Sequence, residues 1–290
     1  MPDNQIETVQ WFPGHMAKTR RLIKESLPLV DAVTELRDAR IPISSTNPEL
    51  NELIENKPKI VLLNKCDLAD EKTTSEWLSF YRSQNVPALA VDCRSGKGLN
   101  DFRPLVNKVL KDKIKSNAEK GMAGKPLRIM VAGIPNTGKS SFINRMAGNG
   151  KAKVEDRAGV TRHNKWYVIG SGLELLDTPG VLWPKFEDKD VGNKLAFTGG
   201  IKDDILDIET LAMRLLQILA RDYPDRLTER YKVTDFAGLE SYELLELIGR
   251  KRGMLISGGE VNTERAAIML FDELRGGKIG KISFEKPEDI

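Results

Sequence analysis

Gly133-Ile134-Pro135-Asn136-Thr137-Gly138-Lys139-Ser140 is the stretch on which the fold turns. It fits the pattern GxxxxGK[ST], follows the apolar run Arg128–Ala132 and precedes the helical run Ser140–Met146, so the spacing predicts a strand, a phosphate-binding loop and a helix. The glycines let backbone approach phosphate closely, and the loop N–H groups and helix start supply partial positive charge. Lys139 brings a full charge to the β- and γ-phosphates, and the Ser140 hydroxyl is the expected Mg²⁺ ligand. Thr137, Gly138 and Ser141 belong to the same phosphate-binding stretch.

Working outward, Asp177-Thr178-Pro179-Gly180 follows the apolar LELL run. It supplies a carboxylate for the metal and, at Gly180, an N–H for the γ-phosphate. Between the two motifs, Gly159-Val160-Thr161 places a hydroxyl where a second metal ligand is needed, which makes Thr161 both a metal-binding and a catalytic candidate. Upstream, Asn64-Lys65-Cys66-Asp67 follows the run KIVLL. Asp67 can accept from guanine N1–H and the exocyclic amine, a donor pair that adenine lacks, and an unpaired carboxylate would penalise adenine. Asn64 can bond the base edge and neighbouring loops, and the Lys65 stem can cover the ring. Asp92-Cys93-Arg94-Ser95-Gly96-Lys97-Gly98-Leu99 reads as a second base loop, in which an N–H near Cys93 approaches the guanine oxygen. Cys66 and Cys93 therefore border the base, as inert thiols.

The base motifs precede the phosphate motifs. The usual GTPase order is the reverse, so the chain reads as circularly permuted, with the exposed connector Lys113–Lys125 joining the old termini. Runs at Ala32–Leu36, Ile60–Leu63, Ala88–Val91, Arg128–Ala132, Trp166–Ile169 and Leu173–Leu176 predict six strands, alternating with helical patterns at Lys72–Gln84, Leu99–Lys113 and Ser140–Met146. The fold class is α/β: a circularly permuted P-loop GTPase domain with a mostly parallel six-stranded sheet over residues 1–200. A small all-α domain over 201–290 follows, with helices at Ile205–Ala220, Tyr242–Arg250 and Asn262–Arg275. Leu211, Leu215, Ile218 and Leu219 are its expected core stripe. Because the cut falls after Gly180, the γ-phosphate is expected to have a short covalent route to that domain.

The 290 residues are 40% hydrophobic, with a formal charge of +3. That balance is too mild to mark a nucleic-acid binder, and acidic residues outnumber basic ones over 201–290. An RNA surface would have to be local, at Lys18, Arg20, Arg21 and Lys24, at Arg250, Lys251 and Arg252, or at Lys278 and Lys281. The polar start and the lack of a long apolar run suggest a cytoplasmic protein without a membrane span, and two isolated cysteines fit a reducing compartment.

Trp11-Phe-Pro-Gly-His15-Met-Ala-Lys18, Asp38-Ala39-Arg40-Ile-Pro42, Ser44-Ser45-Thr46-Asn47-Pro48 and Arg275-Gly-Gly-Lys278-Ile-Gly280, taken with the nucleotide motifs, resemble the bacterial ribosome biogenesis GTPase A family of circularly permuted GTPases. The resemblance implies a GTP hydrolase with Mg²⁺ that binds the large (50S) ribosomal subunit, its rRNA and proteins, late in assembly, is stimulated by it and departs after hydrolysis. It also implies a catalytic role for His15, since Val181 stands where many GTPases carry a water-orienting glutamine. Asn136 matches the asparagine of potassium-stimulated members of the wider class, so K⁺ is a candidate beside Mg²⁺. The alternatives are a GTP-dependent RNA-binding or signalling switch with negligible turnover, and an ATPase, which Asp67 disfavours.

Overall fold

The computed structural model describes residues 13–54, 57–148, 153–155, 165–170, 172–178, 180, 189–201, 207–234 and 236–290, with backbone alone for 13–19 and 153–155. Thr161 and Val181 lie outside the described residues. His15 falls in the first helix, but its side chain lies outside them as well.

The described chain divides into two compact units: one covers 13–180 and takes back Glu285–Ile290, and the other covers 189–284. The second therefore takes in a helix, Lys189–Phe197, upstream of residue 201.

The first unit is built on a seven-stranded sheet: β1 (Ala32–Asp38), β2 (Lys59–Asn64), β3 (Ala88–Ala90), β4 (Leu127–Ala132), β5 (Lys153–Glu155), β6 (Lys165–Ile169) and β7 (Leu173–Asp177), in the spatial order β3-β2-β1-β4-β7-β6-β5. The six expected strands are all present. β5 is an addition, antiparallel to β6 at the edge. From β3 to β7 the sheet is parallel, and β6 is antiparallel to β7. The two halves of the sequence meet at the seam between β1 and β4, where Ala32 lies opposite Ile129.

Both faces of the parallel strands are mostly apolar, as expected when helices cover both, and the buried Glu35 of β1 is paired with Arg37 and Lys59. Leu36, Ile60 and Leu62 face α4 (Phe102–Val109) and α6 (Lys139–Met146) through Phe102, Val106 and Phe142. On the other face Val33 and Met130 meet Ile23 and Leu27, from and just after α1 (Pro13–Ser26), and Leu50 of α2 (Pro48–Leu53); Val61 and Leu63 meet Trp77 and Tyr81 of α3 (Glu71–Ser83). Asp70 caps α3 by accepting from the Thr73 N–H at 2.8 Å, which fixes where the helix starts. The expected connector is helical over its first part, as α5 (Lys111–Glu119), and becomes a turn near Gly121; it is mostly exposed.

The second unit is all-α: α7 (Lys189–Phe197), α8 (Ile208–Asp222), α9 (Pro224–Tyr231), α10 (Ser241–Lys251) and α11 (Thr263–Arg275). Leu211, Leu215 and Leu219 are buried with Leu244, Ile248, Leu270 and Phe271, and Ile218 packs at the margin. Arg252, from the candidate RNA cluster, is partly committed to this unit. It lies over the Tyr231 ring and pairs with Glu273, as Arg230 also does. In the first unit Arg20 and Arg21 have acidic neighbours, Glu52 and Glu25.

Candidate functional site

In a parallel sheet the loops at the carboxyl ends of the strands share one edge. Here register aligns them: Asp38 at the end of β1 lies opposite Asn64 at the end of β2, and Val131 of β4 lies opposite Asp177 of β7. The base motif, the phosphate loop and the DTPG motif therefore emerge together.

The phosphate loop runs from β4 into α6. Thr137 Oγ1 donates to the Ile134 carbonyl at 2.8 Å and tightens the turn. Lys139 Nζ donates to the carbonyls of Gly133 and Ile134 at 2.9 and 3.0 Å, so the ammonium lies against the loop it serves. Burial pushes its pKa down to about 8, with Asp177 acting in the opposite direction. Gly180 comes close enough that a Cβ there would stand 2.8 Å from Lys139 Nζ, which brings the end of the DTPG motif against the loop's lysine. Thr178 Oγ1 donates to the Val131 carbonyl at 2.7 Å and anchors that motif to β4.

Asn64 ties the base motif to the phosphate loop. Its Nδ2 donates to the Thr137 carbonyl at 2.7 Å, and its Oδ1 accepts from the Cys93 N–H at 3.0 Å. One buried amide thus joins three loops far apart in sequence. Gly138 is left-handed at φ 97°, and a Cβ on it would stand 2.2 Å from Asn64 Nδ2, so only glycine allows the approach. Asp67 is partly exposed, with Arg94 Nη2 at 3.4 Å.

The second base loop, expected to bring an N–H near Cys93 to the guanine oxygen, is held in place through the Cys93 amide. That N–H is engaged by Asn64, while the Asp92 carboxylate accepts from the N–H groups of Arg94 and Ser95 at 2.8 and 3.2 Å. Asp92 and Cys93 therefore shape the loop from within. Arg145 of α6 donates to the Ser95 carbonyl and braces it from the phosphate side. Both thiols are buried. Burial, aided by the Asp92 carboxylate, pushes Cys93 up to about 12, and burial raises Cys66.

Lys65 has a left-handed backbone at φ 61°, and its Nζ meets Asp38 Oδ2 at 3.0 Å. The same carboxylate accepts from Arg40 Nε and Nη2 at 2.9 and 2.8 Å. Burial alone would raise the Asp38 pKa, but Arg40 and Lys65 outweigh it and hold the carboxyl well below the usual range. Neither Asp38 nor Arg40 was assigned a role from sequence; the signal available was their position directly after a strand that neighbours the base motif.

For a divalent cation the chain offers oxygen donors at Ser140, at the exposed start of α6, and at Asp177. The Asp177 pKa is raised by burial, against the pull of Lys139 and Lys165, so added positive charge would favour its ionised form. Hard oxygen donors beside a phosphate loop suit Mg²⁺ chemistry. Asn136 is exposed in the phosphate loop, with a left-handed φ of 62°.

The family model described as 50S ribosome-binding GTPase matches residues 128–234, which start at the strand before the phosphate loop. The ribosome biogenesis GTPase A of Bacillus pumilus is 47% identical over 97% of this chain and 99% of its own length. A GDP-bound YlqF structure superposes with a TM-score of 0.67 at 32% identity, covering 92% of this chain and 99% of the other. GNP-bound YlqF from T. maritima gives 0.63 at 31% identity, covering 94% of this chain and 100% of the other.

Proposed function

The chain belongs to the ribosome biogenesis GTPase A family and is a GTP hydrolase acting in ribosome assembly; we propose that it binds the large (50S) ribosomal subunit late in that assembly and hydrolyses GTP to GDP and phosphate under ribosomal stimulation. The observation that carries the site is Asn64, which joins the guanine-reading and phosphate-reading loops through two buried hydrogen bonds. Asp67 reads guanine from one end of the bound nucleotide, and Lys139 meets the phosphates at the other. Gly180 approaches the γ-phosphate through its N–H.

Ser140, Thr161 and Asp177 would hold Mg²⁺ in this reading, and Asn136 is the position proposed for K⁺; bound there, such cations would supply positive charge beside the phosphoryl group. His15 takes the water-orienting role, since the valine at 181 cannot hydrogen-bond a water. Phosphate takes over the Lys139 ammonium from the loop carbonyls, and its negative charge favours the protonated lysine. No helix among the described residues is long and apolar enough to cross a membrane, and the proposed setting is the cytoplasm, with rRNA and ribosomal proteins as partners. Residues beyond Gly180 carry the nucleotide state into the helical unit.

The test is GTP turnover with and without purified large subunits, coupled to sedimentation in GTP and in GDP. Subunit-stimulated turnover and stronger co-sedimentation with GTP are expected. Unstimulated turnover together with nucleotide-independent sedimentation would overturn the reading. Turnover in KCl against NaCl at equal ionic strength tests Asn136. Full stimulated turnover in His15→Ala would remove His15 from the mechanism.

A further inference from the structure

The Asp38–Thr46 loop is tied to the base motif at one end and to the chain's last residues at the other. Glu285 lies 241 residues from Ser44, yet its carboxylate accepts from the Ile43 N–H at 2.6 Å, from the Ser44 N–H at 3.1 Å and from the Ser44 hydroxyl. Its backbone carbonyl accepts from Trp77 Nε1 at 3.0 Å. The residue is 1% exposed, so this is a seated carboxylate and not a tail lying on the surface. Such a group is costly to bury unless its acceptor sites are filled, and here consecutive donors of one turn fill them.

The turn passes the constraint on. Ser45 Oγ accepts from the Asp38 N–H at 3.0 Å and donates to the Ile41 carbonyl at 2.6 Å. Asp38 then holds Lys65, and the Ala39 N–H donates to the Asn64 carbonyl at 2.8 Å. Both residues belong to the base motif, and Lys65 occupies a backbone conformation that L-residues disfavour, so its placement depends on outside support. Every step in this path is a direct hydrogen bond, an ion pair or an adjacent residue.

We propose that Glu285 is a positioning residue for guanine recognition, acting through Ser44, Ser45 and Asp38 on Asn64 and Lys65, so that the carboxy-terminal segment 285–290 is part of the nucleotide-selecting machinery. This rests on the reading of residues 64–67 as the guanine site. The chain leaves the helical unit at Phe284 and re-enters the GTPase unit at Glu285, so the segment is also the covalent exit from that unit.

The test compares wild type with Glu285→Gln, Ser44→Ala and a chain ending at Phe284, using dissociation constants for GDP and for IDP, which lacks the exocyclic amine. Glu285→Gln keeps the volume but turns an amide donor toward donors; Ser44→Ala removes one hydroxyl and keeps the test open if the shortened chain does not fold. Wild type is expected to prefer GDP by about 10- to 100-fold, the size of one charged hydrogen bond. The preference should fall at least about threefold in each folded variant, with KM for GTP raised and kcat unchanged. A purely structural role would lower thermal stability and leave the GDP:IDP ratio intact, and that result overturns the proposal. A wild type that does not discriminate overturns the guanine reading and the proposal with it.

Discussion

Asn64 and Gly138 allow a quantitative test of whether the base and phosphate loops form one unit. Asn64→Ala removes hydrogen bonds of 2.7 and 3.0 Å and leaves the Thr137 carbonyl and the Cys93 N–H without this partner in a buried setting. Two orphaned groups at about 1–3 kcal/mol each, the lower end applying where water reaches them, give roughly 2–6 kcal/mol. Gly138→Ala carries a different cost: a left-handed backbone at φ 97° and a methyl 2.2 Å from Asn64 Nδ2. The amide cannot swing away without giving up its bond to Thr137, so the clash is borne by the same contact. Truncating Asn64 removes the obstructing atom. The double variant should therefore be less destabilised than the sum of the singles by about 1–2 kcal/mol, beyond the roughly 0.5 kcal/mol scatter of independent sites. The assay is urea unfolding of the nucleotide-free protein followed by tryptophan fluorescence, since all four tryptophans precede residue 201 and none comes from 201–290. Additivity within about 0.5 kcal/mol would refute the claim that the two loops meet through this amide.

Asp67→Asn should weaken GDP binding by about 10- to 100-fold, the loss of one charged hydrogen bond, and shift preference toward xanthosine diphosphate, whose C2 carbonyl accepts from the new amide; unchanged selectivity would exclude Asp67 from the base site. Cys66 and Cys93 should resist a thiol reagent at about pH 8 and react readily only in denaturant, because burial keeps both protonated. The sign for stability follows: a thiol whose folded pKa is raised contributes stability that is lost as pH climbs above the unfolded value of about 8.5, and fast labelling of the native protein would contradict this. Asp38, held below the ordinary carboxylate range, contributes stability above about pH 4 that is lost on acidification through its folded pKa. Asp38→Asn should flatten the acid limb of the unfolding curve.

Six strands and the nucleotide motifs were legible because each apolar run ends at a loop with its own chemical signature. β5 was not, since a three-residue segment flanked by charge acquires its identity only from pairing with β6. α9 buries only Leu227 and Tyr231, too few apolar positions to raise a periodic signal, and Arg230 and Arg252 look like surface charge until Glu273 comes between them. Arg40 shows the limit most clearly. A charged residue after a strand reads as a solvated turn, yet it is 1% exposed because Asp38 and the folded turn receive it. Glu285 could not be placed from local pattern at all: the partners that seat it lie more than 200 residues away.

The permuted order of motifs is physically undemanding once register is considered. A parallel sheet sends the carboxyl end of every strand to the same edge, whichever strand the chain visits first. β1 pairs with β2 so that Asp38 faces Asn64, and β4 pairs with β7 so that Val131 faces Asp177. The seam between β1 and β4 then sets the two half-sites side by side. What the order does change is which segments continue past the site. Gly180 leads toward the helical unit, and the chain returns from that unit at Glu285 to hold the turn that supports Lys65. Among the described residues, then, a segment that precedes the helical unit in sequence ends at the phosphate side, and the segment that follows it begins beside the turn supporting the base motif.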